Sequence, residues 1–182
     1  MGNVDLQQAW SRVERMFKSY GFPYKVVSKS PGICWNGEYG NIIDPTGSYR
    51  KLSNAIHEFS HWIVAADRRR TQPEFGLGSC PDAWGSVRET VKTTISFKAA
   101  DLEESHVSVL GILIEKTMGL DPMDTAIEHS WEDPTTEYPD DGDPIANDKT
   151  FQKRARKLVE RGILRDDLTF PLRKPKLTEV AA

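Results

Sequence analysis

From Tyr49 to Arg69 the chain runs without a glycine or proline, and Ile56, Phe59, Trp62, Ile63 and Val64 are interleaved with His57 and His61. The Asp44-Pro45-Thr46-Gly47 turn delivers the chain to this stretch, and nothing inside it interrupts a helix. Residues four apart on a helix project from one side. The segment His57-Glu58-Phe59-Ser60-His61 therefore aims two imidazoles at a common point, the H-E-x-x-H arrangement that grips a divalent ion. At 3.6 residues per turn Glu58 is rotated about 100° from His57, which makes it a general base or an outer group beside the ion rather than a ligand. The apolar character of the same helix implies that the histidine face is partly buried, where polar groups need partners.

A catalytic metal site usually has three protein ligands and an open position. The third is expected from the run Glu103-Glu104-Ser105-His106-Val107-Ser108-Val109-Leu110-Gly111, in which an acidic pair precedes an apolar helix of about 101–118 ending at Gly119. Spacing from Glu104 to Ser108 and Gly111 is similar to the second motif of gluzincin metallopeptidases, whereas helical periodicity sets Glu103 closer to the apolar stripe. Both acids stay candidates, Glu104 first. A metal-free explanation is that they complement the positive end of the helix dipole. His106 and His129 are weaker ligand candidates. Arg68, Arg69 and Arg70 follow the metal helix and can balance its C-terminal dipole or dock an acidic protein.

The remainder predicts a mainly helical α+β fold, one domain over 1–182, with its metal core at about 50–120. An amphipathic helix over 4–19 stops at Gly21 and Pro23; two or three short strands follow between Tyr24 and Ile43, with Asn36-Gly37 as a hairpin turn, giving a small antiparallel sheet beside the metal helix. Residues 132–148 form an acidic, proline-broken surface loop whose order of acids does not fit an EF-hand. A basic amphipathic helix runs from Phe151 to Gly162, and the tail after Phe170 is expected to be loosely held.

With 182 residues, 38% hydrophobic, and a net charge of only -3, the chain is an ordinary globular one with no global field for nucleic acid. No apolar run approaches a bilayer span, the N-terminus lacks signal-peptide order, and Leu6 breaks the myristoylation motif that Met1-Gly2 begins. These features predict a cytoplasmic protein. Cys34 and Cys80 form no Cys-x-x-Cys pair and are read as reduced thiols.

The residues His57 through Ala65, then Arg68-Arg69-Arg70, Phe75-Gly76 and Pro81-Asp82, resemble the core of the elongation factor P hydroxylases in order and spacing. The likeness covers roughly residues 50–118, and the Glu104 region falls where that family carries a glutamate entering an apolar helix. It departs at Gly76-Leu77-Gly78-Ser79-Cys80, where the family is rich in aromatics. The resemblance implies a metal-dependent enzyme, iron favoured, that hydroxylates a modified lysine of a translation factor. His57, His61 and Glu104 would be the ligands.

Three readings follow. An Fe(II) hydroxylase would use two histidines and one carboxylate with open positions. A zinc hydrolase would use the same ligands and let Glu58 take the proton of a metal-bound water. A non-catalytic module would use the metal to staple helices, although closed structural zinc sites need four Cys or His ligands that this chain does not readily supply. The ligand set alone does not separate iron from zinc.

Overall fold

The computed structural model describes residues 5–29, 33–78, 92–122 and 148–175. Helix α1 spans Leu6–Tyr20; the Asp5 carboxylate accepts from the amides of Gln7 and Gln8, and Gly21 closes the helix at φ +73°. Its buried face is Ala9, Trp10, Val13, Met16 and Phe17, as the helical spacing predicts. Helix α2 spans Tyr49–Val64 and opens at Ser48, whose hydroxyl accepts from the Lys51 amide.

The sequence predicts that α2 continues to Arg69, but it ends five residues earlier. Ala65 and Ala66 are extended, and Asp67–Arg70 forms a separate turn, α3. No breaker residue marks the stop. Its cause is tertiary: Arg70 donates to the carbonyls of Trp62 and Ile63, and Arg161 donates to that of Val64, so guanidinium groups take the place of the next turn's amides. The Arg70 guanidinium also lies 4.4 Å from the centre of the Trp62 ring. Arg70 thus complements the end of α2, as expected.

The sheet corrects the prediction. Strands β1 (Tyr24–Val27) and β2 (Gly40–Ile43) pair in parallel, in register from Tyr24 with Gly40 to Val27 with Ile43. The Asn36-Gly37 reversal exists, but it joins β2 to a single antiparallel bridge at Trp35 and not to β1. A chain that reverses twice between two strands returns in its first direction, and 28–39 has the length a parallel connection needs. Gly37 is fixed by two constraints. It adopts φ +95°, and a Cβ there would stand 2.8 Å from the Thr71 carbonyl oxygen.

Helix α4 (Phe97–Thr117) begins four residues before the predicted start, where Ser96 accepts from the Ala99 amide, and Gly119 follows at φ +69° as predicted. It lies antiparallel to α2. Near one end the fully buried Glu115 accepts from Tyr49 and Ser53 at 2.7 and 2.6 Å; towards the other Glu104 faces His57 and His61. Midway, Gly111 faces Ser60, and an added Cβ would lie 3.7 Å from its hydroxyl, an ordinary contact. An added Cβ at Gly111 would meet no neighbouring backbone within 4 Å. Gly111→Ala should raise Tm by roughly 2–4 °C, because alanine gains up to about 1 kcal/mol in a helix interior; a calorimetric fall in Tm would mean that the interface has no room.

Helix α5 (Lys149–Glu160) is capped by Asp148, which accepts from the Phe151 amide at 2.7 Å, and buries Phe151, Ala155 and Leu158. The tail is firmer than predicted as far as Leu172. Phe170 is buried with its amide donating to Thr117, and Tyr20 donates to the Pro171 carbonyl. Phe17, Phe22, Phe59 and Phe170 join α1, the segment leading into β1, α2 and the tail in one aromatic core. The described chain is mainly helical with one two-stranded parallel sheet, and none of its helices is long and apolar enough to cross a membrane. Cys80, Pro81-Asp82, His129 and the acidic loop, apart from Asp148, lie outside the described residues.

Candidate metal centre

His57 and His61 stand one turn apart on α2, with their Nε2 atoms 3.1 Å from each other. The Oε2 of Glu104 on α4 lies 3.6 Å from the Nε2 of His57 and 3.4 Å from that of His61. These three form a possible metal-binding triad. A point equidistant from three atoms at those spacings lies roughly 2 Å from each, within the range of metal bonds to imidazole nitrogen and carboxylate oxygen. The residues therefore fit a small divalent ion. The His61 side chain is 7% exposed and that of Glu104 is 45% exposed, so the site is walled by α2 and opens on the carboxylate side.

The electrostatics suit a cation. Burial alone would lower the His61 pKa, but the charge and hydrogen bond of Glu104, with Glu58 and Glu103 behind them, push it up to about 9. Conversely, partial burial would raise the Glu104 pKa, yet the charge of His61 and hydrogen bonds from both imidazoles hold it well below the usual carboxylate range. The same negative field that holds a proton on His61 attracts a divalent ion, which must displace that proton to bind.

Glu103 and Glu104 have separate tasks. Glu103, its side chain largely shielded, is ion-paired with Arg69, which is itself 8% exposed and donates to the Phe75 carbonyl at 3.0 Å. Glu104 alone reaches the histidines. Both sit well beyond the first turn of α4, where the dipole has faded, so the dipole explanation for them fails. Nor does Arg69 belong to an exposed docking patch: of the three arginines only Arg68 is exposed. His106 is apart from the triad, its ring accepting from or donating to nothing in it and lying 2.8 Å from the Leu102 carbonyl oxygen.

Glu58 acts electrostatically on His61 and also on Glu74, a residue that the sequence reading passed over. Glu74 is buried, and its Oε1 accepts from the backbone amides of Cys34 and Trp35 at 2.6 and 3.4 Å. Burial first, and then the Glu58 charge, push its pKa up to about 8 against those two amides. A carboxyl raised in the folded state binds more protons there than in the unfolded chain. Its contribution to stability is complete below about pH 4.5 and is lost as pH rises through about 8. In metal-free protein, Glu74→Gln should flatten the fall in stability between those values; urea midpoints that decline equally in both proteins would contradict this.

Phe75 was also missed as a site residue. Its ring stacks on His61 with centroids 5.5 Å apart and on Trp35 at 4.9 Å. No local pattern announces such a stack, because Trp35, His61 and Phe75 come from three separate segments.

The family model for elongation factor P hydroxylase matches residues 37–107. That stretch contains His57, Glu58, His61, Glu74, Phe75, Glu103 and Glu104. No solved structure matches the chain.

Proposed function

We propose that this protein is an Fe(II)-dependent hydroxylase of a protein side chain, with a modified lysine of elongation factor P as its substrate. The carrying observation is the triangle formed by His57, His61 and Glu104, whose edges suit one ion with positions left open. Two imidazoles and one carboxylate on one side of an ion are the ligand set of non-haem Fe(II) oxygenases, and the family match supports a protein substrate. When bound, iron would supply oxygen activation.

The chain's own residues would do the rest. His57 and His61 hold the ion from the buried wall, and Glu104 balances its charge from the open side. Glu58, beside His57 and close enough to bias His61, holds or moves a proton at its carboxylate. The buried aromatic wall of Phe75 and Trp35 keeps water from the back of the site. We read the chain as one cytoplasmic domain.

A zinc peptidase remains the second reading, favoured by the position of Glu58 between the two histidines. The staple reading is weaker, because a 45% exposed Glu104 leaves the site open. Anaerobic loading with Fe(II), followed by oxygen-uptake and intact-mass measurements on modified elongation factor P, separates these readings. With a two-electron reductant supplied so that the second oxygen atom leaves as water, the hydroxylase predicts oxygen consumption with gain of one oxygen atom by the substrate. Oxygen-independent peptide cleavage, lost in Glu58→Gln, would establish the peptidase instead.

A further inference from the structure

A histidine that binds a metal through one ring nitrogen is usually oriented by a hydrogen bond from the other. Among the described residues nothing pairs with the buried Nδ1 of His61. Its ring must be held by packing. Phe75 lies face to face with it at an interplanar angle of 17°, Trp35 stacks on Phe75 at 12°, and Phe22 stacks on Trp35 at 18°. The imidazole is therefore the last plane of a four-ring column, and the Trp35 ring is anchored by its indole N–H donating to the Arg70 carbonyl at 2.9 Å.

Phe75 reaches that place through an unfavourable backbone. Glu74 and Phe75 adopt φ +47° and +51°, in the left-handed region that side chains with a Cβ avoid, and Gly76 follows at +72°. Two non-glycine residues in succession persist there only if their surroundings insist on it. Glu74 supplies that insistence. Its carboxyl accepts from the Cys34 and Trp35 amides while its own amide donates 2.8 Å to the Trp35 carbonyl, and Arg69 holds the Phe75 carbonyl from the other side.

We propose that the Glu74–Phe75 turn is a positioning element of the metal centre, in which Phe75 sets the plane of the His61 imidazole and Glu74 locks Phe75 against it. This rests on the triad binding a metal. Neither residue touches the ion; both act through His61. The turn accordingly governs the strength and symmetry of metal binding more than the presence of the fold.

Cobalt(II) titration of the purified full chain tests this, with affinity and the visible ligand-field bands as readouts and circular dichroism as the check on folding. Phe75→Leu, which keeps a smaller apolar side chain and removes the flat ring, should weaken Co(II) binding about 10- to 100-fold, the cost typical of lost outer-shell orientation, and shift the bands. Glu74→Leu should do the same, while Glu74→Gln, which keeps an acceptor oxygen, should stay within a few-fold of the natural protein. Folded Phe75→Leu with unchanged affinity and bands overturns the proposal, and that variant decides alone if Glu74→Leu does not fold. Failure of the natural protein to bind Co(II) would instead remove the metal centre, and the positioning role with it.

Discussion

Glu104→Gln should reduce divalent-metal affinity by at least about 100-fold, since even the loss of outer-shell groups costs about 10- to 100-fold. The amide keeps the shape of the side chain but removes the only carboxylate among the described residues that reaches both imidazoles. It also removes the largest influence holding the His61 pKa up at about 9, so His61 in the metal-free variant should titrate at lower pH, as NMR of its ring protons would register. Glu103→Gln offers the contrast. It should leave one metal site per chain and act on stability, because Glu103 belongs to Arg69. If Glu103→Gln abolishes metal uptake while Glu104→Gln spares it, the two acids have been assigned in the wrong order.

The second large effect concerns that ion pair. Arg69→Met strands the Glu103 carboxylate beneath α3 with its side chain only 11% exposed, and leaves the Phe75 carbonyl without its guanidinium donor. Breaking a buried pair from one side costs about 3–5 kcal/mol. For a chain of this size that corresponds to a fall in Tm of roughly 6–20 °C. The double variant Arg69→Met/Glu103→Leu should recover much of the loss, because replacing both charges removes the stranded one. Arg68→Ala, at the exposed neighbour, should change stability by less than about 0.5 kcal/mol. A drop for Arg69→Met as small as that of Arg68→Ala would mean that the pair is solvated.

These outcomes bear on how much a sequence of this kind discloses. The two-histidine helix was legible because it depends on one local regularity, the return of the same face every four residues. The existence of α1, α4 and α5 followed from apolar spacing, and the Gly21 and Gly119 stops from glycine's tolerance of positive φ. The parallel pairing of β1 and β2 was not legible. It depends on a second reversal between the strands, and the Asn36-Gly37 turn announces only one. Glu103 and Glu104 could not be separated by spacing either; a buried arginine 34 residues earlier in the chain decides between them. The Glu74–Phe75 turn lay furthest from view, since left-handed backbone at non-glycine residues is imposed by tertiary contacts that no local pattern encodes.

The end of α2 teaches the same point from the opposite side. Every residue from Tyr49 to Arg69 is compatible with a helix, and the helix nonetheless stops at Val64 because Arg70 and Arg161 satisfy its last carbonyls. That stop lets α3 turn Arg69 inward onto Glu103, which frees Glu104 to face His57 and His61. Local propensity set the two histidines on their helix, and long-range arginine contacts turned Glu104 rather than Glu103 towards them.

The most direct test is anomalous diffraction from a crystal of the Fe(II)- or Co(II)-loaded protein, recorded on both sides of the metal's absorption edge. One peak per chain is predicted, at roughly 2.0–2.2 Å from the Nε2 atoms of His57 and His61 and an oxygen of Glu104, with Glu103 still on Arg69. A peak elsewhere, or none between α2 and α4 at full metal occupancy in solution, would contradict the account.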